Sequence, residues 1–350
     1  MTACATVDNK HFLRLMPTIL PIERKKSMSD FAKKIQLQKV LAFGALVILY
    51  LFFAVMGRNF TNTATTLNIL AQSYFVGFLA MGVTFVIITG GIDLSIGASM
   101  MCSTLVGGLL LRNYGWPLWL CLVVVVAFGT LVGLCNGLLV TRLKLPPFIA
   151  TLGMMLVTLG FGAIITNSTT MRYPTNEGWF RSVFLRTDNN SPTGAIWMLA
   201  FFILAFILLN KTKIGRYIFA IGSNEEAVRL SGVKTGRWKC AAYVICGFFT
   251  GLGAIFYAAM YTTMIPNTGN GIELQAIAAV VIGGTSLAGG VGSLSGTIIG
   301  VFIMSVLRSG LVSMSLPAPY QTFFTGIVVI GAVLLDIYRT KKANEVKRVK

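Results

Sequence analysis

Ten stretches of this chain are apolar for long enough to cross a lipid bilayer, and together they leave room for little else. They lie near 40–56, 67–90, 94–112, 116–140, 148–166, 194–210, 239–264, 274–290, 293–316 and 321–338. A helix needs about 20 mostly apolar residues to cross a hydrocarbon core roughly 30 Å thick, with its backbone amides bonded inside the segment. The pattern predicts an all-α polytopic membrane protein of about ten transmembrane helices, filling residues 39–338. Consecutive runs meet almost without a loop at 90–94 and 290–293, which predicts broken or re-entrant helices at both places. With 55% hydrophobic and 11% charged residues, a soluble globular fold is excluded.

The net charge of +18 suggests a polyanion partner until its distribution is followed. With the N-terminus in the cytoplasm, 23 of the 29 Lys and Arg fall on one side of the membrane. They sit in the N-terminal arm, in the loops 141–147 and 211–239, and in the tail from Arg339. The other side carries Arg58, Arg112, Arg172, Arg181 and Arg186, and Arg308 lies within a span. This is the positive-inside pattern; it places both termini in the cytoplasm and needs no nucleic acid. Residues 1–38 read as a disordered arm and 339–350 as a basic cytoplasmic tail. Met28 opens a second plausible start, so residues 1–27 need not belong to the native protein. Trp116, Trp119, Trp197 and Trp238 fall at span ends, where amphipathic rings favour the interface. Of the six cysteines, five lie in spans without disulfide or metal spacing and read as small apolar fillers.

Catalytic chemistry has no carrier. The single histidine, His11, lies in the arm, and no HExxH, GxSxG or Cys/His cluster is written anywhere. No Gly-Lys dipeptide occurs, hence no Walker A loop to cradle ATP phosphates. The chain reads as neither an enzyme nor a metal or cofactor binder. If ATP drives it, another chain binds the ATP and magnesium.

One polar loop, Gly215 to Gly232, is written like a helix. Ser223 followed by Glu226 forms a capping box, with Glu225 and Glu226 in the first turn. Ala227, Val228 and Leu230 give an apolar stripe about two turns long, and Gly232 supplies a left-handed stop. A helix so short is marginal alone in water. It either lies on the membrane as a connector or docks a soluble cytoplasmic subunit.

Small residues recur at helix-packing spacing: Gly129, Gly133 and Gly137; Gly247 and Gly251; Gly292, Gly296 and Gly300. Such faces let helices approach closely in lipid, within one bundle or between subunits. Gly91-Ile92-Asp93-Leu94 is echoed 180 residues later by Gly271-Ile272-Glu273-Leu274. That offset shifts the order by five spans and predicts an inverted repeat. A rival pairing of Gly90-Gly91 with Gly283-Gly284 implies a parallel one. Acids beside apolar spans cost about 2.5–3.5 kcal/mol at mid-membrane. Asp93 and Glu273 therefore either line a hydrophilic path or cap the helices that follow them. Asn136 and Gln275 are the other polar residues placed towards a path, or at a helix junction.

These residues resemble a known family. The run GIELQAIAAVVIGGTSLAGGVGS at 271–293, GGIDLSIG at 90–97 and FIATLGM at 148–154 are similar to the membrane subunits of bacterial ribose/xylose/arabinose/galactoside-type ATP-binding-cassette importers. So is the loop carrying Gly215-Arg216-Tyr217, Ala220 to Asn224, and Arg229 to Gly232. The likeness covers roughly 40–338. It implies a permease of the inner membrane, paired with a second copy or a sister permease. A cytoplasmic ATP-binding subunit and an extracytoplasmic sugar-binding protein would complete the importer. Carried over, Asn224, Ala227, Arg229, Leu230, Ser231 and Gly232 would form the ATPase contact, with Gly215, Ser223 and Glu226 in the same coupling segment. Ser223 departs from a frequent glycine, and Gln275 from an acid frequent in ribose-type members. The rivals are an ion-coupled secondary transporter using Asp93 and Glu273, and a membrane scaffold without flux; neighbouring ATPase and binding-protein genes would separate these. Identity of the cargo, and whether the permease pair is identical or mixed, are not written in the chain.

Overall fold

The computed structural model describes residues 39–174, 178–186 and 191–348, so the expectations for the arm, including His11, lie outside the described residues. In chain order the helices are α1 (Lys39–Met56), α2 (Thr63–Ile88), α3 (Ile96–Tyr114), α4 (Leu118–Thr141), α5 (Pro147–Ile165) and α6 (Gly178–Phe184). Then come α7 (Thr193–Lys211), α8 (Lys213–Leu230), α9 (Thr235–Tyr261), α10 (Ile272–Ile282), α11 (Leu294–Ser313) and α12 (Ala318–Arg348). Two short strands, β1 (Met171–Arg172) and β2 (Thr263–Met264), pair antiparallel. The tail expected from 339 is a continuation of α12 as far as Arg348.

Eight of these helices are long and apolar enough to cross a membrane, against the ten stretches counted in the sequence. The other two are the elements beside the short loops. α3 has the length, but Ser99, Ser103 and Thr104 interrupt its apolar character, and it is buried from Ile96 to Leu105. α10 has 11 residues. At 1.5 Å per residue it covers about 16 Å, half of a hydrocarbon core. Both breaks expected from the sequence are present: residues 89–95 and 283–293 are non-helical, with Gly90, Gly284, Gly289 and Gly290 at positive φ.

The core is built around α2, buried without interruption from Tyr74 to Ile88. α9 packs along it antiparallel, Phe75 meeting Tyr257 and Phe85 meeting Phe249. From this pair the packing repeats. α9 lies on α4 as α2 lies on α11; α9 touches α3 as α2 touches α10. α3 packs on α4 and α5 as α10 packs on α11 and α12. Each partner helix starts 171–176 residues further on, and α2 and α9 run in opposite directions. That is the inverted repeat, not the parallel one.

The glycine faces are spent inside the bundle. A Cβ on Gly133 would lie 2.3 Å from the Tyr243 carbonyl oxygen, and one on Gly247 would lie 2.4 Å from that of Gly129. Gly296 and Gly300 press in the same way on the carbonyls of Gly283 and Ala279. Of the two readings of the small-residue spacing, packing within one chain accounts for these contacts. By contrast α1 and α12 are largely uncovered, with Leu51, Val55, Phe323 and Leu334 more than half exposed, as lipid-facing or partner-facing helices are.

Candidate functional site

The polar segment folds as a helix, but its start is not where the sequence placed it. α8 begins at Lys213, where Thr212 Oγ1 accepts from the Ile214 amide at 3.2 Å. Gly215 packs so tightly on the end of α7 that a Cβ would overlap the Leu209 carbonyl. Helical geometry then runs unbroken past Ser223 and fails at Asn224, with φ −163° and ψ 95°. Asn224 is the cap of the second half: its Oδ1 accepts from the Ala227 amide at 3.0 Å. Ser223, expected to be the cap, donates instead to the Phe219 carbonyl at 2.9 Å. The correction has a plain cause. A serine still inside a helix bonds back to the previous turn and is unavailable to the next one. Glu226, freed from the capping box, pairs with Arg229 at 2.6 Å. That pair is exposed and worth at most about 0.5 kcal/mol.

The second half of α8 is short and held from one side. Lys239 of α9 pairs with Glu225, while in the first half Tyr217 stacks on Trp238 with ring centroids 4.6 Å apart. Gly232 takes φ +84°, the expected left-handed stop just after Ser231. Of the apolar stripe, Val228 is half-buried, while Ala227 is exposed and Leu230 is 80% exposed. A capped and anchored helix thus presents a leucine to solvent beside the Glu226–Arg229 pair.

The second cluster forms where the chain re-enters helix after α2. Asp93 Oδ1 accepts from the Ser95 amide at 2.9 Å and from its hydroxyl at 2.7 Å. Asn136 on α4 donates through Nδ2 to both Asp93 oxygens at 3.3 Å and to Ser95 Oγ at 2.8 Å. The Cys246 thiol of α9 also faces Asp93, and Tyr243 OH donates to the Ile92 carbonyl at 3.2 Å. Asp93 and Asn136 are fully buried, so this network stands in for water around a carboxylate inside the bundle. It ties the α2–α3 break to α4 and α9.

Glu273 occupies the equivalent place at the start of α10. Its Oε1 accepts from the Gly271 amide at 2.8 Å, and Oε2 is buried without a partner. The α10 start abuts α3: a Cβ on Gly97 would lie 2.3 Å from Glu273 Oε2. Both acids therefore bond the backbone at the head of a broken helix, each accepting from the amide of the residue that opens it, while no side chain caps the first turn of either α3 or α10. Gln275 is half-buried in α10 and joins neither cluster.

Two residues with structural consequence went unread in the sequence. Ser95 is the hub between Asp93 and Asn136, and its signal was the Asp-Leu-Ser spacing at 93–95. Asp336 on α12 accepts from the Leu287 amide at 3.0 Å and from Ser286 Oγ at 3.2 Å, pinning the α10–α11 loop. Its signal was an acid inside the apolar run Leu334-Leu335-Asp336-Ile337.

Relatives match this chain over most of its length. The ribose import permease protein RbsC of Bacillus subtilis is 40% identical over 306 residues, 86% of this chain and 93% of that protein. RbsC of Escherichia coli K12 is 35% identical over 83% of this chain and 91% of its own length. The xylose transport system permease protein XylH of the same organism is 33% identical over 87% of this chain and 93% of its own. No solved structure matches. Residues 65–333, from the start of α2 into α12, match one family throughout, and the chain belongs to it: the branched-chain amino acid transport system / permease component family.

Proposed function

We propose that this chain is the permease subunit of an ATP-driven importer that carries a monosaccharide of the pentose or hexose kind across the bacterial inner membrane. The observation that carries the reading is α8: a rigidly anchored, capped half-helix whose leucine is left in solvent. Such a face calls for a protein partner, and the partner is the cytoplasmic ATP-binding subunit, which holds the ATP and magnesium. The basic loops and both termini then lie in the cytoplasm, and the β1–β2 strand pair faces outward towards a sugar-binding protein. A second permease, identical or sister, completes the path on the faces left uncovered. The relatives named for ribose and xylose supply the sugar class. They lend no support to an ion-driven mechanism, and Asp93, spent on Ser95 and Asn136, is poorly placed to carry an ion.

Transport in this reading is alternating access. Closure of the ATPase pair displaces α8, and the two permeases rock so that the path opens to each side in turn. Of the residues read towards a path, Asp93, Asn136 and Glu273 act as pins of the broken helices, and Gln275 remains the candidate for the lining.

The test is reconstitution in proteoliposomes with the neighbouring ATPase and a panel of sugar-loaded binding proteins. Arg229→Glu with Leu230→Asp should abolish co-purification of the ATPase and cut ATP-dependent uptake by about a hundredfold, the scale of two lost interface anchors. Uptake at the wild-type level would overturn the docking role. Stimulation of ATP hydrolysis by one loaded binding protein would name the cargo.

A further inference from the structure

Three segments that are far apart in sequence touch backbone to backbone at a single place beneath the docking helix. Gly222, two residues before the Asn224 break, lies so close to the end of α2 that a Cβ would overlap the Ile88 carbonyl and come within 2.4 Å of the Gly290 amide. That amide donates to the same Ile88 carbonyl at 2.8 Å. A Cβ on Gly289 would stand 2.9 Å from the Gly90 amide and 3.1 Å from the Gly222 carbonyl; one on Gly290 would stand 2.9 Å from Ser223 Cα. Gly90, Gly289 and Gly290 all hold positive φ, a conformation that side chains resist. Space excludes a side chain at Gly222, backbone conformation disfavours one at Gly90, and both act at Gly289 and Gly290, where the Ser223 hydroxyl already stands 2.6 Å from where a Cβ on Gly290 would lie.

The three segments are not arbitrary. One is the root of the docking half of α8. The other two are the breaks of the inverted repeat, 89–95 and 283–293, each leading directly into a helix of the bundle. The first break carries Asp93 and its network to α4 and α9; the second is pinned to α12 through Asp336. Backbone contacts without intervening side chains have little slack, because no rotamer change relieves a displacement.

We propose that Gly90, Gly222, Gly289 and Gly290 are positioning residues that pass a displacement of the docking helix to both breaks of the repeat at once. The inference rests on the docking reading of α8. It adds a specific consequence: the two halves of the repeat receive one mechanical input, at one point, rather than each being reached through its own chain of side chains.

Two measurements test it, both on the reconstituted complex with the ATPase. The first is hydrogen exchange of the wild-type complex with and without a non-hydrolysable ATP analogue. Exchange in 222–231, 88–95 and 283–293 should change together on nucleotide binding. A change confined to 222–231, or reaching only one break, would overturn the junction while leaving the docking reading intact. Failure of the ATPase to bind at all would overturn both. The second is Gly222→Ala, which should still co-purify with the ATPase but lower the sugar moved per ATP hydrolysed by about tenfold or more. Gly44→Ala, with no atom near its added methyl, should leave that ratio alone. A wild-type ratio in Gly222→Ala would sink the proposal. If Gly222→Ala does not fold, the exchange measurement on the unaltered chain decides.

Discussion

Gly247→Leu is expected to remove the folded protein almost completely. Along the α4–α9 seam the two backbones are in contact: a Cβ on Gly247 meets the Gly129 carbonyl at 2.4 Å and Gly133 Cα at 2.8 Å. Overpacking a core usually costs about 1–3 kcal/mol when side chains can shift. Here the obstacle is main chain on both sides, so the helices themselves must part, and the cost lies at or beyond the upper end. Separation would also strip packing from every group that depends on the seam. Tyr243, which holds the Ile92 carbonyl, and Cys246, which faces Asp93, are both on the α9 turns that would move. In lipid no hydrophobic gain redraws the helices together, since their association rests on close packing. Size-exclusion of the detergent-solubilised protein should show the monodisperse peak largely replaced by aggregate, because a main-chain obstacle in the central seam removes much of a stability that is only about 5–15 kcal/mol in total. Gly153→Leu on α5, where an added Cβ meets nothing within 4 Å, should behave as wild type. A normal peak for Gly247→Leu would mean the seam is not a determinant of the fold.

That seam also shows what the sequence makes legible. Gly129, Gly133, Gly247 and Gly251 announce a close helix contact by spacing alone, but spacing does not say which helix is the partner. The pairing follows only once α2 and α9 stand antiparallel at the centre. Hydropathy marks the spans well because lipid forces each backbone to satisfy itself, yet it overstates α10, whose apolar run continues into a non-helical glycine loop at 283–293. The echo of Gly91–Leu94 in Gly271–Leu274 carries the repeat correctly, since each copy needs the same sharp entry into a helix. At α8 the local code misleads. Ser223 and Glu226 spell a capping box, but a cap exists only where helical geometry has ended, and the helix from Lys213 overruns it by one residue. The strand pair of Met171–Arg172 with Thr263–Met264 has no local signal, because strands of two residues owe their pairing to the helices that bring them together. Asp93 and Asn136 are legible as residues out of place in an apolar chain. Their bond, across 43 positions, is a property of the packed bundle.

That bond gives the second large effect, and a way to separate charge from shape. Asn136→Asp is isosteric, so it disturbs no packing, but it replaces the amide that donates to Asp93 with a second carboxylate about 3 Å away. Both positions are fully buried, and no described cation pairs with either. An uncompensated buried charge costs about 3–5 kcal/mol. The single variant should therefore lose transport and melt well below the wild type. Asp93→Asn removes the charge instead; its carbonyl still accepts from Ser95, and the Asn136 amide can turn to offer its unpartnered Oδ1, so the loss should be small. The exchange Asp93→Asn with Asn136→Asp restores one donor facing one carboxylate, in the opposite sense, and should recover most of the stability lost in Asn136→Asp alone. A coupling of about 0.5–3 kcal/mol between the two sites is the range for residues sharing one network. The melting temperature of the four proteins in detergent measures it, and sugar uptake in proteoliposomes shows whether function follows stability. If the exchange were as impaired as Asn136→Asp alone, the polarity of this pair would matter in one sense only, and Asp93 would have to serve something other than the pinning of the α2–α3 break. Recovery of stability without recovery of uptake would locate that second demand on the carboxylate at position 93 itself, in the loop that the glycine junction moves.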